Sequence, residues 1–133
     1  MSTGPFDLSR TPIHLGDTDT ALALTDFTFD GPSFEAYINA HCTEAAPGRL
    51  MMIETSPASW PTWERHPEGA EIVMVLEGSG TFYQQTGEEE IAIPFAAGTT
   101  LINPANVWHT ADVNEPMRSL YITPCPGTDH KPR

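Results

Sequence analysis

The chain has 133 residues, and six Lys and Arg stand against 18 Asp and Glu for a net charge of −12. This length fits one domain with a sizeable core, so folding requires neither disulfides nor a structural metal. The negative charge disfavours nucleic acid and anionic membranes as partners. No apolar run could span a bilayer, and residues 1–10 lack the basic start and apolar core of a signal peptide, so we expect a cytoplasmic protein.

The first 47 residues carry mixed signals, and we interpret them as an N-terminal arm. Phe27 and Phe29 alternate with polar residues, as in a strand. The apolar residues that follow Pro32 instead fall at helical spacing, with Ser33 as a possible N-cap. The sequence therefore allows either a strand or a helix in this arm.

From residue 48 the pattern changes to short apolar runs separated by turn residues. Ten glycines and thirteen prolines are spread along the chain, which leaves few segments long enough for helices. We predict a barrel or sandwich over residues 48–124, a tail at 125–133, and one all-β domain over residues 1–133. The predicted strands are 50–55, 63–66, 71–77, 80–85, 89–93, 99–103, 107–113 and 117–123.

Ionisable residues concentrate in the hairpin formed by the strands at 63–66 and 71–77. Glu64 and His66 are two residues apart and share a face, and Glu71 shares a face with Val73 and Val75. If that face is the core face, Glu71 enters the interior beside the other two groups. A buried carboxylate costs several kcal/mol unless it is paired or binds a cation. Oxygen and nitrogen donors without thiolate suit Fe, Mn, Ni or Zn as a divalent ion.

Two stretches of the chain resemble the motifs of the cupin superfamily. In the first, His66, Glu71 and Gly78 occupy the positions of the second histidine, the glutamate and the closing glycine, with the family's spacing. In the second, Gly98 precedes the turn Pro104-Ala105-Asn106, and His109 follows at the position of the motif histidine. Together the two motifs span about half of the chain.

The resemblance implies a small jelly-roll β-barrel, or double-stranded β-helix, which would often be a homodimer. It also implies one divalent transition metal ion near an open end of the barrel, with Glu64, His66, Glu71 and His109 as ligands. The expected function is a metal-dependent enzyme acting on a small polar organic molecule, with oxygenation favoured over isomerisation or decarboxylation. The alternative is a non-catalytic cupin that binds a sugar or small metabolite without metal.

Two positions depart from the family pattern. Glu64 stands where the first histidine belongs, and it is either a fourth ligand or a general base beside the pocket. Asn106 replaces the glycine of the second motif, which asparagine can do because it tolerates positive φ.

The remaining aromatic and basic residues receive structural interpretations. By strand parity, Trp63 and Trp108 face away from the proposed ligands, and together with Trp60 we interpret them as packing or dimer-interface residues. Arg49 and Arg118 could anchor an anionic substrate but more simply pair with the many acids.

Three histidines and both cysteines lie outside the motifs. We interpret His14, His41 and His130 as surface residues. Cys42 and Cys125 are far apart without a CxxC pair, so we expect two small buried hydrophobic side chains and no disulfide framework.

Overall fold

The computed structural model describes residues 3–133, which form nine strands and one helix. The elements are β1 Ile13–Leu15, β2 Ala21–Ala23, α1 Gly31–His41, β3 Gly48–Ser56, β4 Thr62–Arg65, β5 Glu71–Thr86, β6 Glu89–Ala96, β7 Thr100–Asn103, β8 Trp108–Cys125 and β9 Asp129–Pro132. The predicted all-β class is confirmed. Over these residues, no helix combines the length and the apolar character that crossing a bilayer requires.

The two long strands β5 and β8 form the spine of the barrel. They pair antiparallel from Ile72 opposite Ile122 to Gln85 opposite Trp108, and they bend together near the middle. On one side of the bend, β8 also pairs with β3 and β5 pairs with β7. On the other side, β8 pairs with β4 and β5 pairs with β6. The shared bend therefore divides the strands into two sheets that enclose one core.

Two glycines allow the bend. Gly78 has φ of 99°, and a Cβ there would collide with the backbone of Pro116. A Cβ on Gly80 would collide with the carbonyl oxygen of Asp112. The glycine pair therefore serves the close approach of two strands and does not form a turn between the predicted strands 71–77 and 80–85. The predicted strands at 71–77 and 80–85 are two halves of β5, and those at 107–113 and 117–123 lie within β8.

The core lies between the two sheets. It consists of buried apolar side chains from four strands: Val73, Val75, Phe82, Phe95, Leu101, Ala111, Met117 and Tyr121. Val73 and Val75 face this core, as their alternation indicated. Glu71, on the same face, is therefore carried into the interior and is 3% exposed.

The arm folds against one sheet. The β1–β2 hairpin extends the sheet at β3, and α1 follows it. Asp30 caps α1 by accepting a hydrogen bond from the Ser33 amide at 2.8 Å, so the cap is not Ser33 as the sequence suggested. Phe27 and Phe29 do not lie in a strand. Instead, they pack edge to face against each other, with ring centroids 4.9 Å apart.

A disulfide joins the arm to the barrel. Cys42, at the C-cap of α1, is bonded to Cys125 at the end of β8, 83 residues away. Both side chains are buried, as expected, but the prediction that they are unbonded small hydrophobes is wrong. Their separation in the sequence carries no signal of pairing, because only the docking of α1 on β3 and β8 brings them together.

The C-terminal residues form a strand where a tail was expected. β9 pairs antiparallel with β4, with His130 opposite Glu64. Arg133 then forms an ion pair with Asp112 at 2.7 Å and donates to the Trp60 carbonyl at 3.0 Å. These contacts fix β9 at the edge of the sheet that carries the candidate site.

Candidate metal centre

The site begins with a row of polar side chains across four neighbouring strands. The register places Gln84 of β5 opposite His109 of β8, His109 opposite Glu64 of β4, and Glu64 opposite His130 of β9. Residues directly opposite each other in antiparallel strands project from the same face. His66 follows immediately after β4 and joins the row from its end.

The structure brings together the four residues that the resemblance singled out. His66 Nε2 lies 3.1 Å from Glu71 Oε2, and His109 Nε2 lies 3.4 Å from Glu71 Oε1. Glu64 Oε2 is 4.0 Å from His109 Nε2. The donor atoms of Glu64, His66 and His109 all lie within 4.8 Å of one another. These three residues form a compact set of nitrogen and oxygen donors, and Glu71 lies against both histidines of the set.

Glu71 is held in place by two hydrogen bonds besides its histidine contacts. Asn103 Nδ2 donates to Oε1 at 3.1 Å, and Thr123 Oγ1 donates to Oε2 at 2.7 Å. Gln84 fixes Asn103 in turn, because its Nε2 donates to Asn103 Oδ1 at 3.0 Å. Burial by itself would raise the pKa of Glu71, but the close approach of His66, with His109 and the Thr123 hydrogen bond, outweighs burial and lowers it. Glu71 is therefore a carboxylate at neutral pH.

Both histidines aim the same ring nitrogen into the site. His109 Nδ1 lies 3.3 Å from the Val107 carbonyl oxygen, which can only accept, so Nδ1 carries the proton and Nε2 a lone pair. Burial lowers the pKa of His109 despite the nearby Glu71 carboxylate, which favours this neutral ring. His66 Nδ1 is 3.0 Å from Thr128 Oγ1.

The Nε2 atoms of His66 and His109 are buried without a hydrogen-bond partner among the described residues. Such atoms are costly in a folded protein unless something satisfies them. A divalent cation would do so, since metal-bound histidines commonly donate their other ring N–H to a nearby oxygen, as His109 does here. The donors present therefore fit a transition metal ion.

Glu64 differs from Glu71 in its exposure and partners. Its side chain is 31% exposed at the rim of the site, whereas that of Glu71 is 4% exposed. Glu64 Oε1 lies 3.2 Å from His130 Nε2, which leaves Oε2 facing His109. His130 is 54% exposed, so it is at the surface as expected, but it also orients a candidate ligand. Sequence reasoning missed this role because it did not predict β9.

A backbone hydrogen bond joins the turn of the second motif to the first motif. Asn106 has φ of 61°, which confirms that asparagine replaces glycine in a left-handed position. Its amide donates to the His66 carbonyl at 2.9 Å. The turn before β8 therefore positions the residue that follows β4.

The donor set opens into a cavity of about 590 Å³ between the barrel and α1. Side chains of α1 and β3, among them Phe34, Tyr37 and Met52, form much of its apolar wall. Glu54 also lines the cavity, as do Glu64 and Glu71, whereas no Lys or Arg of the described residues does. Arg49 and Arg118 are therefore not anchors for a substrate in this cavity.

The three tryptophans have two different environments. Trp60 lines the cavity with its ring centroid 6.3 Å from that of His109, and its Nε1 donates to Ser56 Oγ at 3.1 Å. Trp108 lies on the outer side of the sheet under Arg65 at 4.5 Å, as parity predicted. Interpreting Trp60 as a packing residue is therefore incomplete, because it also shapes the cavity.

Comparison with protein families agrees with this geometry. A family model described as Cupin domain matches residues 50–123, which is more than half of the chain. No curated protein sequence matches the chain.

Solved structures share the fold. The chain is similar to an uncharacterized conserved protein with a double-stranded beta-helix domain from Klebsiella pneumoniae, with 19% identity, a TM-score of 0.50, and coverage of 65% of this chain and 76% of the other. It is also similar to hydroquinone 1,2-dioxygenase from Sphingomonas sp. TTNP3 with 4-hydroxybenzoate bound, with 10% identity, a TM-score of 0.50, and coverage of 59% and 60%.

A third similar structure is Bacillus subtilis oxalate decarboxylase with its Mn(II) centers, with 16% identity, a TM-score of 0.50, and coverage of 63% of this chain and 23% of the other. The chain also spans only 58% and 64% of two further matched structures, less than two thirds of their length. At these identities the likeness concerns the fold alone.

Proposed function

The chain belongs to the cupin family, and from this premise we propose that it is a metal-dependent enzyme that oxygenates a small polar organic molecule. One divalent transition metal ion, Fe, Mn, Ni or Zn, binds through Glu64, His66, Glu71 and His109. The observation that carries the proposal is the pair of buried Nε2 atoms, on His66 and His109, that have no hydrogen-bond partner among residues 3–133 and converge beside a buried carboxylate.

Two carboxylates and two neutral imidazoles balance the charge of a divalent ion. Glu71 contributes a rigid carboxylate, because Asn103 and Thr123 hold both of its oxygens. Glu64 contributes Oε2 from the rim while His130 holds Oε1. When bound, the ion supplies Lewis acidity and, in the case of iron, redox chemistry towards dioxygen.

The cavity favours an uncharged substrate. Burial raises the pKa of Glu54, and the charges of Glu64 and Glu71 raise it further, which marks the interior as already rich in negative charge. A carboxylate substrate would meet this charge without a Lys or Arg in the described wall to pair with. Trp60 and Met52 instead offer apolar surfaces to the body of a small ring.

The α1 helix forms part of the cavity wall. Phe34 and Tyr37 project from α1 into its wall, and Tyr121 lies opposite them on β8. Burial raises the pKa of Tyr121 well above its ordinary value, so at neutral pH it is a phenol able to donate a hydrogen bond to a substrate oxygen.

Metal content tests the first half of this proposal. The disulfide-bonded protein purified without chelator is expected to contain one divalent ion per chain, and His66→Ala and His109→Ala are expected to lose it while keeping the far-ultraviolet circular dichroism of the parent. Glu88→Ala, at an exposed position outside both donor clusters, is the control. Full metal occupancy in both site variants would contradict the ligand assignment.

Oxygen uptake tests the second half. The Fe(II)-loaded protein is presented with matched pairs of a small phenol and the corresponding carboxylate, and uptake is expected with phenols and absent in His109→Ala. A metal-free protein that binds a sugar or metabolite as tightly as the loaded protein, without uptake, would favour the non-catalytic alternative.

A further inference from the structure

A second cluster of potential metal ligands lies where the arm meets the barrel. His14 of β1, Cys42 at the end of α1 and Cys125 at the end of β8 offer donor atoms that all lie within 4.8 Å of one another. All three residues are less than 9% exposed. His41 adjoins them, with its ring centroid 5.1 Å from that of His14. Four residues of the types that bind zinc are therefore gathered from three separate elements.

The surroundings hold His14 in this cluster. The Tyr37 hydroxyl lies 2.7 Å from His14 Nδ1 and 3.6 Å from Cys125 Sγ, so it bridges the ring and the sulfur. Gly48 leaves room for the ring, because a Cβ at that position would press against His14. The two histidines border a cavity of about 490 Å³ that Asp17 also lines, whereas the two cysteines lie behind them and are buried.

The disulfide is one of two states open to these cysteines. In a reducing compartment such as the cytosol, protein cysteines are normally thiols. An external dithiol would break the Sγ–Sγ bond by thiol–disulfide exchange, supplying two electrons and becoming a disulfide itself, while each cysteine sulfur takes up one proton. The reduced cluster would then hold two thiols beside two imidazoles.

We propose that the reduced chain binds a thiophilic divalent cation, Zn²⁺, through Cys42, Cys125, His14 and His41. The ion displaces the two thiol protons into solvent, and the two thiolates neutralise its charge. The pKa of His14 is lowered by burial and by the nearby His41, so its ring is available in the neutral form that binds metals. This site is separate from the candidate centre at Glu64, His66, Glu71 and His109 and does not depend on that centre's function.

The consequence is a cross-link that persists in both redox states. Tyr37 and Cys125 line the large cavity as well as contacting this cluster. A disulfide or a bound ion would each tie the end of α1 to β8 and keep the helix over that cavity. Reduction without metal would remove this tie and leave the helix held by the packing of Phe34 and Tyr37.

Cobalt(II) titration of the reduced, metal-free chain under anaerobic conditions tests the proposal. The reduced parent is expected to bind two Co²⁺ per chain, one of them with a thiolate-to-metal charge-transfer band in the near ultraviolet and intense visible bands of tetrahedral Co²⁺. The variant C42S/C125S is expected to bind one ion without those bands. The variant H66A/H109A is expected to bind one ion with them, which separates this site from the candidate centre.

Two further variants test whether His14 is a ligand and Tyr37 is not. His14→Gln is expected to weaken the thiolate-bound ion by more than about tenfold, whereas Tyr37→Phe keeps all four donors and the bands. Absence of the bands in a reduced parent with native circular dichroism would overturn the proposal. Unchanged affinity in His14→Gln would overturn it too, as would a chain that unfolds on reduction and does not refold when Co²⁺ is added.

Discussion

The two donor clusters of this molecule differ in how their polar atoms are satisfied. In the barrel, His66 and His109 present buried Nε2 atoms beside Glu71 that have no hydrogen-bond partner in the described part of the chain. At the junction of arm and barrel, His14 is hydrogen bonded to Tyr37, and the two cysteine sulfurs are bonded to each other.

The difference shows what makes a buried cluster a candidate site. Both clusters are buried and compact, but only the barrel cluster contains buried ring nitrogens that lack a hydrogen-bond partner among the described residues. The junction cluster has free sulfur ligands only after two electrons reduce its disulfide. Four predictions follow that would sharpen or break this contrast, from the largest expected effect to the smallest.

Removal of the disulfide has the largest expected effect. In metal-free C42S/C125S, the free energy of unfolding is expected to fall by about 4 kcal/mol, because the bond closes a loop of 83 residues that is otherwise free in the unfolded chain. Urea denaturation measures the change against the oxidised parent under the same conditions. A loss below about 1 kcal/mol would show that the junction does not depend on this bond.

The second largest effect is expected for residues that hydrogen bond to the ligands in the barrel. Thr128→Val removes the hydrogen-bond partner of His66 Nδ1, and Asn103→Leu removes one hydrogen-bond donor to Glu71. Each variant is expected to weaken metal affinity by about 10–100-fold. Competition titration with a chelating dye measures the affinity, with the exposed Thr55→Val as a control. Affinity equal to that of the parent in both variants would mean that the two ligands need no such support.

Glu64→Gln separates the two roles of Glu64. As a ligand at the rim, with a side chain 31% exposed, it is expected to contribute about tenfold to metal affinity, or about 1.4 kcal/mol. The exposed Glu68→Gln is the control for the change in net charge. If affinity is unchanged and only turnover falls, Glu64 is a general base instead.

The smallest effect is expected at Glu54. Its pKa in the fold is raised above 4.5 by burial and by Glu64 and Glu71, so the folded state binds the proton more tightly than the unfolded state does. The contribution of Glu54 to the stability of the metal-free parent should therefore fall as pH rises from 4.5 through the folded pKa, and it should then level off. Glu54→Gln removes this dependence and is expected to stabilise the chain at pH 7 by about 1 kcal/mol, with little change at pH 4.

Thermal unfolding at the two pH values checks this last expectation, and the exposed Glu88→Gln on the β5–β6 hairpin controls for net charge. A loss of stability in Glu54→Gln at pH 7 would mean that the carboxylate has a stabilising partner, and the view of the cavity as rich in unpaired negative charge would be wrong.

Spacing along the chain was sufficient for the parts of the site that lie in local patterns. Alternation in β5 placed Glu71 on the core face, and the two short motifs singled out His66 and His109. The first inference holds because a strand has a period of two residues, so the direction of a side chain follows from its neighbours. The second rests on the resemblance to the cupin motifs.

Contacts between distant segments were decided by the tertiary structure. His130 reaches Glu64 only because β9 pairs with β4, and Asn103 reaches Glu71 across the β5–β7 pairing. The disulfide and the cluster around His14 depend on α1 docking onto a sheet. The sequence therefore indicated two unbonded cysteines and a surface position for His14, which is buried in the fold. Such pairings are set by the burial of whole faces against one another, and no short stretch of residues encodes that burial.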